Sequence, residues 1–336
     1  MRTMMALAAV AVLAGCGGSD SGSNGGKLTV YSGREEELVE PLFDQFESDT
    51  GIDVEVRYGE SAELAATLAE EGDSSPADVF FAQDAGTLGA TAEEGRLSEL
   101  PNEILDEVKA AYRDPDGRWV GTSGRARVVA YNTDAVREDD LPASIFGYTE
   151  PRWKGRIGLP PTNASFQAFV TAMRLTEGEE RTREWLDAVK NNEPKFYEKN
   201  SSVLEALAAG EIDVGFVNHY YLYLLKEEQP DAPVRNHFMG GGDPGALVNV
   251  AGVGIVKGTD DPEPAQRFVE FLLSEEGQRF YADRAEEAEY PLAQGIEPRQ
   301  GLPPLASIEG PAIELGDLGG ELERTLELLN EAGFTS

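Results

Sequence analysis

Cysteine and histidine are almost absent from this chain. Its 336 residues include one cysteine, Cys16, and two histidines, His219 and His237. A single thiol excludes an internal disulfide, and the pair is too sparse for a Cys/His zinc site. The histidines lie 18 positions apart with nothing marking them as partners. Catalytic signatures are missing as well: there is no GxSxG, no HExxH, no Walker loop and no GxGxxG after the first strand-like run. Carboxylates abound, yet no pair of them stands out, so no enzyme is expected. Basic residues are scarce, 28 against 62 acidic ones for a net charge of −34. That balance makes nucleic acid and anionic lipid poor partners. Diffuse acidity solvates a surface; a cation site needs convergent ligands.

The N-terminal run MRTMMALAAVAVLAGC has one basic residue, Arg2, ahead of a short apolar stretch that ends in small residues. It has the length and flanks of a secretory signal rather than of a membrane span. Its end, LAGC, resembles the bacterial lipoprotein signal, in which the cysteine is lipidated and becomes the new N-terminus. Residues 1–16 are therefore expected to be a signal peptide. Residues 17–26, GGSDSGSNGG, form a tether too polar and flexible to pack. The mature protein would be extracytoplasmic, on the outer face of the cell membrane and touching it only through the Cys16 lipid, or periplasmic.

About 310 residues remain, enough for two lobes rather than one core. Strand-like and helix-like periods alternate along them. KLTVYSG, IDVEVRYG and PADVFFAQDAG read as strands. Between them ELVEPLFDQFESDTG reads as a helix stopped at Gly51, and SAELAATLAEEG as one capped by Ser61. That order implies a parallel sheet wrapped by helices, with ligands at the carboxyl ends of its strands. A second unit begins near SGRARVVAYNTD and contains the helix SFQAFVTAMRL and the segment SVLEALAAGEIDVGFVNHYY. ALVNVAGVGIVKG reads as a strand pair, followed by a long amphipathic helix interrupted at Gly277. The apolar stretches near 124–131 and 247–256 are expected to cross between the units and form a hinge.

Taken in order, VYSGREEEL, TGIDVEV, PADVFFAQD, EGRL, SGRARVVAYNTD, WKGRIG, KNSSVLEALAAGEIDVGFVNHYY, DPGALVNVAGVGIVKG and AEYPL resemble bacterial ferric-ion-binding proteins. These are the substrate-binding components of iron(III) ABC transporters, within the periplasmic binding protein superfamily. The resemblance spans nearly all of the mature chain. It implies a two-lobed, type II-like α/β fold, each lobe a mixed, mostly parallel sheet flanked by helices and hinged by crossing strands. Residues 27–125 and 251–300 would form the N-lobe, and 126–250 and 301–336 the C-lobe. The expected protein is a monomer that captures Fe(III) and hands it to a membrane permease and its ATPase. Two rival readings are a binding protein for thiamine, a polyamine, a phosphonate or a sugar, and an extracellular hydrolase.

The family's paired tyrosines match Tyr220 and Tyr221. Phenolate is a hard anionic ligand suited to Fe(III), and coordination to a trivalent ion drives the phenol proton off. A helix beginning at Asn218 would place both phenols in its first turn. Tyr223 reads as packing. The position where relatives commonly carry a histidine is Glu35, either a carboxylate ligand or a solvated residue of the first helical turn. The position of the family glutamate is Gln83, a neutral oxygen at best. Relatives add a synergistic anion, carbonate or phosphate. The matching cradle is Thr162, Asn163, Ala164 and Ser165 at a helix start, with Asn200, Asn218 and Arg125 as further donors. Asn163 and Asn218 also read as plain N-caps. Arg127 alternates with Arg125 on one strand face, and their roles do not separate in the sequence. His219 is expected behind the ligands or at the surface.

Overall fold

The computed structural model describes residues 26–284 and 288–335. The signal peptide, Cys16 and the tether up to residue 25 lie outside the described residues. The first unit runs β1 (Lys27–Ser32), α1 (Glu36–Thr50), β2 (Asp53–Tyr58), α2 (Ser61–Glu71), β3 (Val79–Ala82), α3 (Ala85–Glu93) and α4 (Asn102–Leu105). A long strand, β4 (Val120–Asn132), leads into the second unit. There follow β5 (Ile157–Leu159), α5 (Ala164–Glu177), α6 (Glu179–Asn191), β6 (Lys195–Phe196), α7 (Asn200–Ala208), β7 (Val214–Asn218), α8 (Tyr221–Glu228) and β8 (Val234–His237). The chain returns through β9 (Val248–Ile255), α9 (Pro262–Leu273), α10 (Glu275–Asp283) and β10 (Tyr290–Pro291), and ends in α11 (Asp317–Gly320) and α12 (Leu322–Glu331).

The strands join in the order β2-β1-β3-β9-β4-β7-β5-β6, with β8 and β10 pairing on β4. β1 runs parallel to β2 and β3, and β5 runs parallel to β6 and β7, while every partner of β4 is antiparallel to it. β4 is the crossing strand. Its first half, Val120 to Ala126, pairs with β9; its second half, Arg127 to Tyr131, pairs with β7. Both expected crossings are therefore strands that pass from one apolar cluster to the next. Val250 and Val253 belong to the cluster of the first unit, and Val248 to that of the second.

Several local expectations change. ALVNVAGVGIVKG is a single strand, not a pair, because Gly252 and Gly254 make close contacts instead of turns. A Cβ on Gly252 would stand 2.6 Å from the Val120 carbonyl oxygen. The break in the long C-terminal helix falls at Ser274, whose hydroxyl accepts from the Gly277 amide at 3.2 Å and caps α10. α8 starts at Tyr221 rather than Asn218. Asn218 stays in the strand ladder opposite Arg127, and the His219 amide donates to the Ala126 carbonyl at 3.0 Å. The last stretch of chain spans both clusters: Leu315 and Leu318 pack into the first, Leu328, Leu329 and Phe334 into the second. Hydrogen bonds from α5 fasten α12 in place, Thr171 to Thr325 at 2.8 Å and Arg174 to Glu321 at 3.1 Å.

Candidate functional site

A cavity of about 760 Å3 opens between the two units at the carboxyl ends of β1, β3 and β7. The wall from the first unit depends on close backbone approach. A Cβ on Gly33 would lie 2.0 Å from the Ser61 hydroxyl oxygen, so only glycine lets the loop after β1 meet the start of α2. Ser61 is not the helix cap expected from sequence. It is the first residue of α2, and its hydroxyl accepts from the Gln83 amide at 2.9 Å. Three loops are thereby locked together, presenting Glu35, Glu60 and Gln83 to the cavity. Glu35 is exposed at the N-cap position of α1 and makes no capping hydrogen bond. Asp84 also lines the cavity, but its carboxylate is engaged by the Thr87 amide and hydroxyl, both at 2.8 Å.

The opposite wall carries the tyrosines. The rings of Tyr220 and Tyr221 stack with centroids 4.3 Å apart, and both line the cavity. Burial, then the neighbouring Tyr221, pushes the Tyr220 phenol well above its ordinary pKa, outweighing the attraction of Arg125. Tyr220 is therefore a neutral phenol until something supplies positive charge. His219 cannot do so from beneath. It is fully buried, its Nδ1 accepting from the Ala126 amide at 3.1 Å and its Nε2 facing the Ala288 carbonyl at 2.9 Å. Burial pushes its pKa down to about 4, so it is a neutral imidazole with both nitrogens occupied. It supports the Tyr220 ring edge-on at 5.9 Å and reaches neither the cavity nor the surface.

Beside the tyrosines the start of α5 forms a pocket of donors. Asn163 caps the helix, its Oδ1 accepting from the Ser165 amide at 3.0 Å. Arg127 donates through Nη1 to the Ser165 hydroxyl and to Asn218 Oδ1, each at 3.0 Å. Its Nη2 is buried without a hydrogen-bond partner among the described residues. Burial lowers its pKa to about 9, against the pull of Tyr221 and Tyr220, and among the described residues no carboxylate pairs with it. Arg125 differs: its Nε lies 3.9 Å from the Glu289 carboxylate. The geometry thus separates two arginines that sequence could not.

Of the residues singled out from sequence, Glu35, Gln83, Arg125, Asn163, Ala164, Ser165, Asn218, Tyr220 and Tyr221 meet at this cavity. Thr162 and Asn200 do not line it. The Thr162 carbonyl accepts from Gln167, and Asn200 stands behind the pocket, donating to Asn163 Oδ1 at 3.0 Å. Sequence reasoning missed Glu60, Asn249, Leu318 and Leu322, all on the cavity wall. The last two come from the far C-terminus, and no local pattern announces them.

Residues 31–279 match the model for bacterial extracellular solute-binding proteins, and the chain belongs to that family. Over 315 residues it is 36% identical to the major ferric iron-binding protein of Neisseria meningitidis serogroup B, covering 91% of this chain and 93% of the relative. It is 32% identical over 320 residues to the Fe(3+)-binding periplasmic protein of Serratia marcescens, covering 94% and 93%. Iron-bound HitA from Pseudomonas aeruginosa superposes with a TM-score of 0.82 at 36% identity, over 92% of this chain and all but 1% of that one, 99%. A Trichodesmium protein in complex with iron and citrate gives 0.82 at 29% identity, over 92% and 100%. These relatives are two-lobed solute-binding proteins rather than enzymes, and this chain is of the same kind.

Proposed function

We propose that the protein is an extracytoplasmic, lipid-anchored binding protein that captures Fe(III), together with an anion, between its lobes and delivers it to an ABC permease and its ATPase. The observation that carries this reading is the stacked pair of phenols facing a carboxylate wall, with a buried guanidinium nitrogen beside them that is unpaired among the described residues. Fe(III) binding turns Tyr220 and Tyr221 into phenolates, the hard donors a hard cation selects. Glu35 supplies a carboxylate from the other lobe, and Gln83 a neutral oxygen. These donors leave an octahedral shell incomplete, so the anion has a place. Carbonate or phosphate sits at the start of α5, where Arg127, the Ser165 side chain and Ala164 line the cavity. With ligands on both walls, binding draws the lobes together, and the closed form is the one the permease accepts.

The test is a titration of the apo protein with Fe(III), without anion and with carbonate, phosphate or citrate in turn. A visible tyrosinate-to-iron charge-transfer band is expected, weakened in Tyr220→Phe and Tyr221→Phe and strengthened by the effective anion. If no band forms, or if both phenylalanine variants keep it unchanged, the iron reading is wrong.

A further inference from the structure

Glu289 lies beneath the cavity, 3% exposed, within the stretch AEYPL, which gives it no role by itself. One carboxylate oxygen accepts from Arg34 Nη1 at 3.2 Å and stands 3.9 Å from Arg125 Nε; the other accepts from the Ser123 hydroxyl. Both arginines are themselves buried. The preceding residue, Ala288, holds the His219 ring through its carbonyl at 2.9 Å. It does so at a φ of 40°, a left-handed conformation that a residue with a Cβ keeps only when its surroundings impose it. Arg34 directly precedes Glu35, and His219 directly precedes Tyr220. The dipeptide Ala288–Glu289 therefore touches the neighbour of a proposed iron ligand in each lobe.

We infer that Glu289 is a positioning residue that fixes the loop bearing Glu35 relative to the strand end bearing Tyr220 and Tyr221. This rests on the proposed iron function. The physical reason for a carboxylate here is charge. Two buried guanidinium groups repel each other, and a carboxylate facing both offsets that repulsion. A neutral residue at 289 would take away the carboxylate that faces both, loosen the hold on Arg34 and its loop, and add positive charge beside a site for a trivalent cation. A carboxylate that orients ligands from behind typically contributes about 10- to 100-fold in metal affinity.

The test compares Glu289→Gln, Glu289→Asp and the double variant Arg34→Met/Glu289→Gln with the wild-type chain. Three readouts apply: Fe(III) affinity with phosphate present, the position of the charge-transfer band, and hydrogen exchange in the apo protein. Glu289→Gln is expected to bind iron roughly 10- to 100-fold more weakly, with a shifted band. Faster exchange should be confined to residues 34–36 and 219–221. Glu289→Asp should recover part of the affinity. The double variant removes one of the two buried cations together with the carboxylate, leaving Arg125 beside a neutral amide, and should regain part of the thermal stability without regaining affinity, which separates positioning from simple structural support. It is also the variant to read if Glu289→Gln fails to fold. Unchanged affinity and band in Glu289→Gln, or full affinity in the double variant, would overturn the inference. If the wild-type chain shows no band at all, the iron reading falls by itself, and the exchange pattern in the apo variants still decides whether Glu289 ties the two segments.

Discussion

At the scale of single residues, Arg125 and Arg127 illustrate how partners assign roles. They sit two apart on β4 and both reach the cavity. Arg125 faces a carboxylate, whereas Arg127 has only neutral oxygens at Nη1 and nothing among the described residues at Nη2. Replacing Arg127 by Gln should remove the dependence of iron affinity on added anion. The loss should be about 1.5–3 kcal/mol, the worth of a charge-assisted hydrogen bond. Calorimetry with and without phosphate checks this; an undiminished anion effect in Arg127→Gln places the anion elsewhere. The Tyr220 phenol supplies a second prediction. Its pKa is raised, so at neutral pH the apo protein holds the proton that iron must displace. Iron binding should release protons in weakly buffered solution and should weaken as pH falls. Uptake without proton release would contradict phenolate coordination.

At the scale of elements, the first wall depends on three loops meeting at Gly33, Ser61 and Gln83. A Gly33→Ala change pushes a methyl group into the Ser61 hydroxyl, and overpacking of that kind costs about 1–3 kcal/mol. The thermal midpoint should fall, and iron affinity with it, because Glu35 and Gln83 ride on those loops. Ser61→Ala in the same chain removes the nearest clashing atom and should recover part of the stability. An unaltered Gly33→Ala protein would mean that the loops shift freely. The start of α8 carries a similar lesson. Helical periodicity in HYYLYLLKEE is real, but ladder pairing of Asn218 with Arg127 holds the strand one turn longer. Tyr220 therefore occupies the cap position, and only Tyr221 lies in the first turn.

At the scale of the whole molecule, two strands and the C-terminal stretch join the lobes. α11 packs its glycines against α3, where a Cβ on Gly86 would meet the Gly319 amide nitrogen at 2.6 Å, while α12 is held by α5. Closure around a ligand must bend β4 and β9 and carry this stretch along. Small-angle scattering of the apo protein is expected to show a radius of gyration that falls on adding Fe(III) with its anion. A constant radius would mean that binding does not move the lobes, and that the permease reads something other than closure.

The sequence by itself determined the alternation of strands and helices in the first unit, the hinge-crossing stretches and the adjacent tyrosines. Each of these is encoded locally, in periodicity, in glycine stops or in residues next to each other in the chain. Its resemblance to ferric-ion-binding proteins carried the expectation of a two-lobed binder. Tertiary structure alone decided that Arg125 faces a carboxylate whereas Arg127, among the described residues, does not, and that His219 is spent on two backbone groups. It alone joined Glu289 to Arg34 across 255 positions. It also divided the C-terminal stretch between two cores. The physical reason is that a side chain's charge and hydrogen-bonding role depend on what is buried against it, and those neighbours arrive from distant parts of the chain.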